Sequence, residues 1–269
     1  MSFVMHPTVD DLLRTLRGAT PHAILFSGAD GVGLRRIAEE LAGDTTPRFI
    51  NADESKATPV ITVEIIRKLY EQTRGKQATD QFFIIHRADS MTKSAQSAFL
   101  KLLEEPNESV HFILTTSTLD KLLPTILSRV QRFNVPPITT EQSAEYIASL
   151  GVKDAVKTKQ LLYIADGLPE EIEKLATDEE YFQQRTMLIK DARVLLMGEV
   201  YDQLLVAHRY KEDRSQARQL VVEAIRLARR SLSDSHDKRL VERLEKLLEV
   251  QAGIERNGNI RLQLAHFVV

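Results

Sequence analysis

Gly28 to Arg35 reads Gly-Ala-Asp-Gly-Val-Gly-Leu-Arg and directly follows a short apolar run, Ala23 to Gly28. Gly28 and Gly33 stand at the two ends of a G-x-x-x-x-G spacing, with Gly31 between them. Such a loop brings successive backbone N–H groups around a phosphate; a Lys must then reach the terminal phosphates and a Ser or Thr must ligate magnesium. Here the Lys position is Leu34 and the hydroxyl position is Arg35. Leucine offers a triphosphate no charge, and a guanidinium repels the metal. Nucleotide hydrolysis is therefore not expected at this loop, and no cofactor or metal is expected in it.

A second position repeats the loss. After an apolar strand, phosphoryl-transfer sites of this kind carry an acidic pair that holds the metal and polarises the attacking water. The run Phe82 to Ile85 is followed instead by His86 and Arg87, which read as strand-end residues at a surface. Neither a Ser, acid and His arrangement nor a metal-ligand spacing is visible among the seven His.

Strands and crossover helices must position these residues. AILFSG reads as the first strand, the glycine turn follows, and LRRIAEELAG places Leu34, Ile37, Ala38 and Leu41 on one helical face, closed by Gly43. PVITVEIIRKLYEQ reads as a helix and FFIIH as a strand. SAQSAFLKLLEE is a helix with Ala95, Ala98, Phe99, Leu102 and Leu103 on its apolar face, ended by Pro106, and HFILTTS is a third strand. This alternation predicts a parallel sheet with flanking helices.

Beyond Pro136-Pro137 the strands stop. EQSAEYIASLG, KTKQLLYIAD and EEIEKLA read as a small helical domain, and from about Glu179 the pattern is wholly helical. In KRLVERLEKLLEVQAGI, a stripe of Leu240, Val241, Leu244, Leu247 and Leu248 reads as bundle core, with subunit assembly as the functional alternative. The expected divisions are 1–136, 137–178 and 179–269. Neither an internal repeat nor a low-complexity linker is apparent.

With 269 residues the chain exceeds one typical domain. It has no Cys, which excludes a disulfide framework and a thiolate zinc site. No stretch approaches the roughly 20 apolar residues of a membrane span, and MSFVMHPTVDDLL lacks the form of a signal peptide. A soluble cytoplasmic protein is the expectation. The 36 basic and 38 acidic residues balance, so nucleic-acid contact must be local or shared with partners. Lys93 and Lys101, on the polar side of their helix, read as solvated residues, with contact to a DNA phosphate as the functional alternative.

The run from Ala88 to Phe133 strongly resembles bacterial clamp-loader subunits of the AAA+ class, and the delta-prime type of the DNA polymerase III assembly best. The likeness rests on a LLKxLEEP-like element at Leu100 to Pro106, a sensor-like FILTTS at Phe112 to Ser117, and LLPTILSR at Leu122 to Arg129. With the upstream glycine loop it covers most of residues 20 to 136. Downstream, ADGLPEEIEKLA is similar to the family's second-sensor helix, and NGNIRLQLAHFVV to its C-terminal collar helix.

The resemblance implies an α/β AAA+ module, a helical lid and an all-α collar. It implies gamma/tau and delta subunits as partners, with the sliding clamp and primed DNA reached through the assembly and no membrane. It also implies that Arg129 reaches, in trans, the ATP of a neighbouring subunit. The alternative for Arg129 is a structural arginine paired to a helix end.

Departures from the pattern are informative. The four-Cys zinc module of many relatives is missing, Ser-Arg-Cys reads Ser128-Arg129-Val130, and the second-sensor arginine position is Glu170. These suit a subunit that does not hydrolyse ATP. Two other readings stay open: an active ATPase in which Arg35 and Arg36 replace the missing Lys, and an AAA+-derived interaction module outside replication.

Overall fold

The computed structural model describes residues 3–43, 45–52, 59–73, 79–234 and 237–268, and the chain divides into two compact units, Met1–Thr177 and Asp178–Val269. The first unit is built on five strands, β1 (Ala23–Gly28), β2 (Arg48–Ile50), β3 (Gln81–Ile85), β4 (Val110–Thr116) and β5 (Gln131–Val135), all parallel in the order β2-β3-β4-β1-β5. Parallel neighbours need crossover connections, and helices supply them. The helix α1 (Pro7–Gly18) precedes the sheet, and the crossovers carry α2 (Leu34–Ala42), α3 (Val63–Thr73), α4 (Lys93–Glu104) and the single turn α5 (Pro124–Leu127).

Burial on both faces explains why the central strands are continuously apolar. Side chains alternate across the sheet, so Leu25, Phe83, Ile85, Phe112 and Leu114 pack with Ile66, Leu69, Phe99 and Leu102 of α3 and α4. Ile24, Phe26, Ile84 and Ile113 face the other way, onto Val9, Leu13, Ile37, Ala38 and Leu41 of α1 and α2. Phe99 meets Phe112 edge to face with ring centroids 5.2 Å apart, an arrangement favoured by the ring quadrupole.

Two strands lie outside the expectation. β2 has only three residues, and β5 exposes Gln131, Arg132 and Asn134. Both are sheet edges, where short or polar strands are usual because one side stays open. The strand read as FFIIH ends at Ile85, with His86 in the following turn. The helix read from Pro59 starts at Val63, because Ile61 forms an extended bridge to Met91.

Three short helices complete the first unit: α6 (Thr140–Ser149), α7 (Ala155–Ala165) and α8 (Pro169–Thr177). Thr139 and Gln142 form a reciprocal capping box that starts α6. Tyr146, Ile147, Leu161, Ile164, Ile172 and Leu175 fill the space between them.

The second unit is all helical: α9 (Glu179–Met197), α10 (Val200–Arg209), α11 (Arg214–Asp234), α12 (Lys238–Glu255) and α13 (Ile260–Val268). Ala217, Ala224 and Ala228 are fully buried on α11, small side chains that let neighbouring helices approach closely. The expected α12 stripe needs correction. Leu240 and Leu247 are buried, as are Val250 and Ile254, but Val241 and Leu248 are exposed. The buried face follows a path one residue round the helix from them, so the apolar residues of α12 are more than its own core uses. Asp191 is buried on α9 and is satisfied by Arg209 at 2.7 Å and by the Tyr210 hydroxyl at 2.9 Å, as a buried carboxylate requires. No described helix is long and apolar enough to cross a membrane.

Candidate functional site

The C-terminal edge of the sheet gathers the residues singled out above. The glycine loop leaves β1, His86 follows β3, Thr115 and Thr116 end β4, and Val135 ends β5. In open parallel sheets this edge, where the chain changes direction between strands, is where ligands bind. Gly28 is required there because a Cβ would lie 2.8 Å from the Val135 carbonyl oxygen of the neighbouring strand.

Gly31 and Gly33 both take left-handed conformations, with φ of 88° and 89°, and Gly33 caps α2. Glycine reaches this region at no steric cost. Groups from elsewhere in the chain pack against this loop. The ring of Phe3 lies on Gly33, so closely that a Cβ there would collide with it. Nothing in the residue spacing pointed to Phe3, because its contact is made across the fold.

Leu34, the first residue of α2, is buried in the core beneath the loop. Arg35 turns along α2, pairing with Glu39 at 3.0 Å and lying 4.6 Å from the centre of the Phe49 ring. Arg36 pairs with Glu173 of α8 at 3.0 Å and stacks 5.2 Å from the Phe3 ring. Glu173 also accepts from the Tyr146 hydroxyl at 3.3 Å, so Arg36 joins the loop helix to α6 and α8.

The amide of Glu170, in the first turn of α8, donates to the Gly31 carbonyl at 3.1 Å. The first turn of α8 is thereby tied to the glycine loop. Desolvation raises the pKa of its carboxyl; Asp30 and Glu173 add to the rise, while Arg36 and Arg35 oppose it. Leu168 packs beside Gly31.

At the end of β3, His86 Nδ1 lies 2.9 Å from the buried Thr115 hydroxyl, which also accepts from the Arg87 amide at 3.1 Å. Burial lowers the His86 pKa, assisted by Arg35 and Arg87 and opposed by Asp30 and Asp89. Arg87 has φ of 56°, a left-handed conformation unusual outside glycine, and its side chain is exposed. Thr116 donates to Asp89 at 2.9 Å. The two sensor-like threonines are thus engaged by residues of the β3 turn. Among the described residues no group of three or more His, Cys, Asp or Glu could hold a metal.

Arg129 stands apart from this edge cluster. Its Nη2 pairs with Glu104, the last residue of α4, at 2.9 Å. Its Nη1 donates to the Thr125 carbonyl at 3.0 Å and the Ser128 hydroxyl at 3.3 Å. The side chain is 37% exposed.

Gln96 was absent from the sequence expectation. It is 2% exposed; its amide nitrogen donates to the carbonyls of Met91 and Lys121, and its oxygen accepts from the Leu123 amide at 2.7 Å. A polar residue between Ala95 and Phe99 on an otherwise apolar helix face was the available signal. Gln96 holds the segment that leads into α5 and Arg129.

A family described as DNA polymerase III, delta subunit, matches residues 44–139. DNA polymerase III subunit tau of Escherichia coli is 34% identical over 148 residues, covering 46% of this chain and 23% of that protein. Replication factor C small subunit of Methanococcus maripaludis is 28% identical over 161 residues, covering 55% of this chain and 50% of that protein. The chain therefore spans half or less of the length of these curated relatives. A solved RuvB mutant from Thermotoga maritima, 12% identical, superposes with a TM-score of 0.50 over 75% of this chain and 80% of that one, a likeness of fold. With its parallel sheet, its glycine loop and these matches, the chain is similar over this stretch to DNA polymerase III and replication factor C subunits.

Proposed function

We propose that this chain is a non-hydrolysing, delta-prime-like subunit of a DNA polymerase III clamp loader, a stator that supplies Arg129 in trans to a neighbouring ATPase subunit. In this reading residues 1–136 are a degenerate AAA+ module, 137–178 a lid and 179–269 a collar. Gamma/tau and delta subunits are its partners, and the assembly carries it to the sliding clamp and primed DNA.

One observation carries the proposal. Both cations that could replace the missing Lys have partners elsewhere, Arg35 on Glu39 and Phe49, Arg36 on Glu173 and Phe3. The loop also lacks a hydroxyl for magnesium, and the β3 turn offers a histidine and an arginine in place of carboxylates. What the chain can still contribute is a cation at its surface. A guanidinium presented to the transferred phosphoryl group offsets developing charge, and such arginines are worth about 10³ to 10⁵ in rate in GTPase examples.

Matched assemblies of this chain with gamma/tau, delta, clamp and primed DNA test the proposal. Arg129→Ala is expected to leave folding and assembly intact and to lower the partner's DNA-stimulated ATPase by about tenfold or more. Arg129→Lys rescues only in part, because a point charge lacks the planar fork. Unchanged partner turnover would leave the chain a scaffold. The kinship to subunit tau favours a second reading, an active ATPase; ATP turnover by the isolated chain would establish it.

A further inference from the structure

Glu104 and Arg129 lie 25 positions apart and meet only through the fold. Gln96, near the start of α4, bonds to the backbone at Lys121 and Leu123, and Glu104, at the end of the same helix, holds the guanidinium at 2.9 Å. One helix thus grips the Arg129 segment at two points. The buried grip at Gln96 is a fixed mount. The grip at Glu104 is of another kind, since both side chains are partly exposed, at 37% and 50%.

The guanidinium bonds through Nη1 to Thr125 and Ser128 and through Nη2 to Glu104. An arginine recognises a phosphoryl group best through two parallel N–H donors. The bond to Glu104 occupies one of the Nη2 donors and holds a carboxylate at the edge of the fork. Exposed ion pairs are weak, so release is easy, while a carboxylate left beside the fork would oppose a phosphate.

We propose that Glu104 is a latch for Arg129, a positioning residue that competes with the neighbouring subunit's phosphoryl group for Nη2 and so restrains partner turnover. The inference rests on the trans role proposed for Arg129. Removing the charge while keeping the shape should release the fork.

The test compares four matched assemblies, containing the wild-type chain, Glu104→Gln, Arg129→Ala and the double variant, each purified with the same gamma/tau, delta, clamp and primed DNA. Glu104→Gln is expected to raise the partner's kcat by about 1.5- to fivefold with its KM for ATP unchanged, because the arginine acts as charge develops in the transition state. The double variant should match Arg129→Ala, since the latch acts only through the arginine. If Arg129→Ala lowers turnover while Glu104→Gln leaves it unchanged or lowers it, the latch is overturned and the trans role stands. If Arg129→Ala has no effect, both fall. A rise with Glu104→Gln that persists in the Arg129→Ala background would also overturn the latch. Melting of each isolated chain should be unchanged within experimental error, and a large loss with Glu104→Gln would instead make the pair structural.

Discussion

The backbone amide of Glu170 donates to the carbonyl oxygen of Gly31 over 3.1 Å, so the first turn of α8 is hydrogen-bonded to the glycine loop. The Glu170 carboxyl lies within electrostatic reach of Asp30 in that loop. With Phe3 against Gly33 and Arg36 held by Glu173, the loop is bounded by the chain's own groups. A nucleotide would have to displace apolar contacts and an ion pair, with neither a Lys nor a metal-binding hydroxyl to compensate.

ATP with magnesium is accordingly expected to leave the melting temperature of the isolated chain unchanged. A ligand at a hundredfold excess over its Kd would add about 2.7 kcal/mol to stability, which calorimetry resolves. Leu34→Lys with Arg35→Thr should still give no hydrolysis, because His86 and Arg87 provide no carboxylate for the metal. Turnover by that double variant would place the metal elsewhere.

Gln96→Leu should destabilise the first unit by about 1 to 3 kcal/mol, the cost of leaving buried backbone groups without partners. The groups concerned are the Met91 and Lys121 carbonyls and the Leu123 amide. Urea denaturation measures the loss, and amide exchange should quicken first at Leu123. A variant as stable as the parent would show that the segment is held by Leu122 and Ile126 packing alone.

His86 gives stability a pH dependence whose sign follows from its lowered pKa. The unfolded chain takes up a proton near pH 6.5, before the folded chain does, so folding is favoured above that pH and weakened as pH falls through it toward the folded value. Melting temperature should therefore decline on acidification below about pH 6.5. His86→Asn should flatten that part of the profile relative to the parent. Parallel profiles for the two proteins would assign the decline to other groups.

The sequence by itself determined the central strands, because β1, β3 and β4 are buried on both faces and must be continuously apolar. The main amphipathic helices were legible too, as were Leu34, Arg35, His86 and Arg87 after the glycine loop and β3, which are matters of residue identity. Strands β2 and β5 were not legible, as edges need neither length nor alternation. Nor could periodicity decide which apolar residues of α12 lie inside: Val241 and Leu248 fit a helical stripe yet remain exposed. Only the tertiary structure set Phe3 on Gly33, Glu173 on Arg36 and Glu104 on Arg129. These pairs are 30, 137 and 25 positions apart in the sequence, and their meeting depends on how helices pack across the sheet and on each other, which no local spacing encodes.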